Sequence, residues 1–150
     1  MNTKDAEVYD NLGNIYAAQN NITASLDASS KAIQLKPGFY NAYINRGITY
    51  NSIKRFDKAI QDFTTAISIN PEGTQPYALR GFANYSIGKF QNALNDFTRV
   101  IDKERDNAAA YYYRGLSHYQ LHEMKPAIYD LQNAQHLGYQ GDYTIFNELK

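Results

Sequence analysis

Residues 40–73 read YNAYINRGITYNSIKRFDKAIQDFTTAISINPEG, and this stretch decides the fold. Within it Tyr43, Gly47 and Tyr50 fall at i, i+4 and i+7, one face of a helix. After a short break, Phe56, Ile60, Phe63 and Ile67 make a second such face. Pro71 closes it, because proline cannot continue a helix and restrains its predecessor. The segment therefore predicts two antiparallel helices of about four turns each. Glycine inside the first helix costs about 1 kcal/mol of helix propensity. That cost implies a packing reason: with no side chain at Gly47, the partner helix approaches closely.

The pattern extends in both directions at a fixed step. Gly13, Gly47, Gly81 and Gly115 stand 34 residues apart, as do Tyr9, Tyr43, Tyr77 and Tyr111. Ile22, Phe56, Phe90 and Met124 hold an apolar slot in the same register. Ser25, Ala59, Ala93 and Ala127 hold a small one, and Ala32, Ala66, Val100 and Ala134 another. The combined pattern, Y-x-x-[LR]-G…A-x-x-x-F…A-x-x-x-x-P, resembles the tetratricopeptide repeat over residues 6–141. The resemblance implies an all-α, alpha-alpha superhelix (solenoid) of four helix pairs, a single domain over 1–150. The repeats read as 6–39, 40–73, 74–107 and 108–141. Residues 142–150 predict a short C-terminal capping helix, with Ile145, Phe146 and Leu149 covering the apolar face of the last pair. Pro37 and Pro71 end the first two repeats; Arg105 and Tyr139 stand in that slot later, so those exits must use other signals such as Gly138 and Gly141.

The slot before the repeat glycine is usually apolar in the resembled family. Here it is Leu12, then Arg46, Arg80 and Arg114. Sixteen residues on stand Ala28, then Asp62, Asp96 and Asp130. Arginine and aspartate appear together and vanish together. The expected consequence is an internal ion pair in three repeats: Arg46–Asp62, Arg80–Asp96 and Arg114–Asp130. Pairing across neighbouring repeats would leave Asp130 alone.

In the resembled family the first helix of each pair lines a concave groove. The resemblance assigns to it Asn14, Asn41, Asn45 and Asn51, then Leu79, Phe82 and Tyr85, then Tyr112, Tyr113, Leu116 and Tyr119. The asparagines offer donors and acceptors for an extended peptide backbone. The aromatic end offers large, rigid contact area with polar tips, as recognition hot spots do. An alternative for Tyr112, Tyr113 and Leu116 is that residues 142–150, or a next repeat, cover them. Chaperone-binding members hold acidic tails with a clamp of lysine, asparagine, asparagine, lysine and arginine. The matching slots are Asp10, Asn14, Asn45, Gln75 and Leu79, so all three cations are missing and no carboxylate clamp is expected.

Composition narrows the remaining classes. The 150 residues carry 15 basic and 15 acidic side chains, so net charge is zero and nucleic acid is not an expected partner. Absence of cysteine excludes a thiol nucleophile and thiolate metal sites. No apolar run approaches the ~18 residues of a membrane span, and the start is no signal peptide, which favours a cytoplasmic chain as given. His118 and His122 share a helix spacing with Glu123 beside them, but His118 takes the helix-seam slot of Tyr16 and Tyr50, so a structural role is expected rather than a metal. No phosphate loop, H-E-x-x-H or nucleophile elbow occurs. The sequence thus reads as a non-catalytic protein-interaction module without metal or cofactor, binding a peptide segment of a partner. The alternative is a structural scaffold that self-associates, or a piece of a longer repeat array.

Overall fold

The computed structural model describes residues 3–148, so Leu149 of the expected cap lies outside the described residues. The described chain is all-α, with no strand. Its helices are α1 (Thr3–Ala18), α2 (Ile22–Leu35), α3 (Tyr40–Ser52), α4 (Phe56–Ile69), α5 (Gln75–Ser86), α6 (Phe90–Lys103), α7 (Ala108–Gln120), α8 (Met124–His136) and the four-residue α9 (Ile145–Glu148). They fall into two compact units, one ending at Pro76 and the other beginning at Tyr77. In the first, α1 packs on α2 and α3 on α4, with α3 also against α2 and α1. In the second, α7 packs on both α6 and α8.

The first helix of every pair stops by the same backbone geometry. Asn20, Lys54 and His122 take φ of 58°, 58° and 61°, and Gly88 takes 76°. The next amide then reaches back to a carbonyl inside the helix. Asn21 N bonds Tyr16 O at 2.8 Å, Arg55 N bonds Tyr50 O at 2.8 Å, Lys89 N bonds Asn84 O at 2.8 Å and Glu123 N bonds His118 O at 2.9 Å. This left-handed closure satisfies the orphan carbonyls and turns the chain in a few residues. Only Gly88 adopts it freely; Lys54 and His122 accept roughly 1–2 kcal/mol of left-handed strain.

Second helices end less uniformly. Lys36 and Asn70 leave the helical region just before Pro37 and Pro71. At the end of α8, Gly138 (φ 83°) carries the left-handed turn, with Tyr139 N bonding Ala134 O at 2.9 Å. Gly141 does not terminate a helix. A Cβ there would run into the Tyr112 ring, so its smallness seats the C-terminal segment. The α6 exit uses Asn107, whose side chain donates to Glu104 Oε2 at 2.7 Å and accepts from Ala110 N at 3.0 Å as the cap of α7.

The repeat glycines sit where the paired helices are closest. A Cβ on Gly47 would lie 2.5 Å from Phe63 Cε1, one on Gly81 3.0 Å from Phe97 Cε1, and one on Gly115 2.9 Å from Leu131 Cγ. Phe63, Phe97 and Leu131 are fully or almost fully buried. The first repeat has Ser29 in that slot, buried and with no partner for its hydroxyl among the described residues.

Each arginine makes a two-toothed bond to its aspartate. Arg46 Nε and Nη2 donate to Asp62 at 2.8 and 2.7 Å, Arg80 to Asp96 at 3.1 and 2.7 Å, and Arg114 to Asp130 at 2.7 and 2.8 Å. The guanidinium carbons lie 5.8, 5.7 and 5.5 Å from the ring centroids of Tyr43, Tyr77 and Tyr111. The third nitrogen ties the preceding hairpin: Arg46 Nη1 donates to Ser30 Oγ at 3.1 Å, and Arg114 Nη1 to Thr98 Oγ1 at 3.3 Å. Hydrogen bonding to Asp62 and Asp130 holds Arg46 and Arg114 above the usual arginine range. Asp96 moves up, because burial outweighs its bonds from Arg80 and Asn84.

Candidate functional site

In the N-terminal unit, α1 and α3 present the amide-rich residues. Asn14 and Asn41 are exposed, whereas Asn45 and Asn51 are half-buried. Asn45 is engaged already: its Nδ2 donates to Asp10 Oδ1 at 2.9 Å. Asn51 Oδ1 is buried and has no partner among the described residues. Asp10 is 6% exposed, and Ile44, in the same repeat slot, is 3% exposed. In this unit that slot is largely enclosed, with Asp10 at the wall of a cleft rather than on an open floor. Glu7, Asp10, Asn11, Phe39 and Asn41 line a cleft of about 270 Å³.

Burial pushes the Asp10 carboxyl above its ordinary 3.8, and the Asn45 bond only partly offsets this. The native state then holds more protons than the unfolded chain just above pH 3.8, so this group's contribution falls as pH rises through its folded pKa. Asp10→Asn keeps an oxygen to accept from Asn45 and removes the charge. We expect the variant to melt at a higher temperature than the parent at pH 7, and the gap to close below about pH 3.8, where both forms are uncharged. Thermal melts across that range check it.

In the C-terminal unit the predicted aromatic residues cluster around Tyr113. Phe82 meets Tyr113 edge-on, ring centroids 5.4 Å apart at 86°, and Tyr85 meets it at 5.8 Å. Phe97 stacks on Tyr113 at 5.8 Å and 18°. Burial, then bonding to Tyr139, pushes the Tyr113 phenol up to about 12. Phe82 is 38% exposed, and Leu79 and Tyr85 are half-buried.

Tyr112 departs from the groove expectation. It is 8% exposed and belongs to a core cluster with Leu131, Ala134 and Ile145. Tyr139 stacks on it at 4.6 Å, and Tyr143 meets it edge-on at 5.7 Å. Its hydroxyl accepts from Asp142 N at 3.0 Å. Leu116 and Tyr119 pack partly against the same cluster, as do Tyr143 and Phe146. The C-terminal segment thus covers this end of α7.

His118 has structural partners. Its Nδ1 bonds Glu123 Oε2, and its Nε2 lies 3.8 Å from Asp130 Oδ2. Asn84 fills the same seam slot and donates to Asp96 Oδ2 at 3.2 Å while 3% exposed. No helix among the described residues is long and apolar enough to cross a membrane.

Sequence reasoning missed the bonds to Ser30 and Thr98. Ser30, Thr64 and Thr98 form a hydroxyl column at the 34-residue step that would have exposed them. It also missed Asp10–Asn45, for which no column exists.

Comparison with known proteins gives three matches to tetratricopeptide repeat models, over residues 6–39, 40–72 and 83–138. A search of curated protein sequences finds no match. Among solved structures, the crystal structure of MamA protein superposes with a TM-score of 0.86 at 22% identity, covering 89% of this chain and 73% of that one. The first TPR of Spaghetti (RPAP3), bound to the HSP90 peptide SRMEEVD, gives 0.79 at 26%, covering 81% and 97%. These likenesses support the tetratricopeptide solenoid fold.

Proposed function

The chain belongs to the tetratricopeptide repeat family, and we propose that it acts as a non-catalytic interaction module that holds a peptide segment of a partner protein against the first helices of its repeats. The observation that carries this reading is Phe82, a large exposed ring braced edge-on by the buried-sided Tyr113. A rigid, half-open aromatic gives contact area at little entropic cost. Leu79 and Tyr85 extend that surface within the C-terminal unit. In the N-terminal unit, taken by itself, the exposed amides Asn14 and Asn41 offer donors and acceptors to an extended backbone.

The RPAP3 domain is bound to an acidic HSP90 peptide, but this chain has Asp10, Gln75 and Leu79 where a clamp's cations would stand. A ligand other than an acidic chaperone tail is therefore expected. Display of random peptides on the full chain tests the reading. Phe82→Ala should weaken selected peptides at least about tenfold and change stability by about 1 kcal/mol or less. Peptides that bind Phe82→Ala unchanged would remove the aromatic surface from the proposal. Self-association is the second reading, favoured by Val8 and Ile15, which are 55% and 52% exposed on α1. A monomer by light scattering at high concentration argues against it.

A further inference from the structure

The carboxylate of Asp10 is an expensive group to bury. It is 6% exposed, yet takes one hydrogen bond, from Asn45 to Oδ1, and makes no other hydrogen bond or ion pair among the described residues. Asp10 lines the cleft of about 270 Å³, and its second oxygen keeps its acceptor capacity. Glu7, one helical turn earlier on α1, adds an exposed carboxylate to the same cleft, Phe39 an aromatic wall, and Asn11 and Asn41 amide groups. No lysine or arginine lines it. Lys36 has its ammonium 4.6 Å over the Phe39 ring and forms no ion pair with Asp10.

We propose that this cleft receives the cationic end of a lysine or arginine side chain from the bound peptide, with Asp10 and Glu7 as its counter-charges. The inference rests on the peptide-binding reading above and gives the ligand a chemistry: a segment carrying a basic residue. A partly desolvated carboxylate with spare acceptor capacity gains most from a donor that also carries positive charge. Asn45 fixes the carboxylate plane beforehand, so little ordering remains when the ligand arrives.

The test needs no peptide. Side-chain amide resonances of Asn41 and Asn45 in the full chain are followed while adding N-acetyl-lysine-methylamide, the arginine analogue, the norleucine analogue, or calcium chloride alone. Lysine or arginine should give saturable shifts that norleucine does not. Binding should be at least tenfold weaker in Asp10→Asn, whose folding is checked by its thermal melt, and weaker in Glu7→Gln, an exposed substitution. No saturable shift, equal shifts with norleucine, undiminished binding in Asp10→Asn, or a response to calcium in place of lysine would each overturn the proposal. Failure here leaves peptide capture itself to the display experiment, which fails separately if no Phe82-dependent peptide is found.

Discussion

Arg46→Ala is expected to cost the protein about 3–5 kcal/mol in chemical denaturation, far more than an exposed ion pair would. The asymmetry of the pair sets this. The Asp62 side chain is 5% exposed and its Arg46 partner 20%, so removing the arginine strands a carboxylate that cannot reach water. Asp62→Ala should cost less, because the guanidinium lies near the surface and can swing toward solvent. The double variant Arg46→Leu, Asp62→Ala should recover most of the loss, since well-packed apolar groups often replace a buried pair at little cost. Nature has made this replacement once in the chain: the first repeat carries Leu12 and Ala28. A double variant as unstable as Arg46→Ala alone would mean that the lost bond to Ser30, not the stranded charge, sets the cost.

Tyr112→Ala should lower stability by about 3–5 kcal/mol, the range for removing a buried aromatic ring. Tyr112→Phe, which loses the bonds between the hydroxyl and Asp142, should cost about 1 kcal/mol. Alanine would empty the space between Leu131, Ala134 and Ile145 and unseat Tyr139 from its stack. A melt unchanged in Tyr112→Ala would return this residue to the ligand surface. Phe82→Ala, with the opposite profile of lost affinity and kept stability, is the internal control.

The repeat made much of this legible. Columns of glycine, tyrosine and small residues fix where helices pair, because each repeat solves the same close-packing problem. Arg46, Arg80 and Arg114 could be matched to their aspartates because the first repeat lacks both partners at once. Contacts that occur once leave no column. Asp10 bonds Asn45 across adjacent repeats only where the carboxylate exists. Tyr112 lies under Tyr139 and Tyr143, beyond the periodic part, and the same slot holds Ile44, also buried. The slot pattern says which way a helix face points; it does not say what an aperiodic tail lays over it.

The third nitrogen of the arginine has a consequence for how the molecule opens. Because Arg46 holds both Asp62 in its own hairpin and Ser30 in the hairpin before it, α3 cannot separate from α4 without also disturbing its bond to α2. Arg114 stands in the same position between Asp130 and Thr98. Local fraying is thereby converted into a collective event within each unit. Amide hydrogens along α2, α3 and α4 should exchange with one shared protection free energy, and Arg46→Leu with Asp62→Ala should split them into separately exchanging hairpins even where total stability is kept.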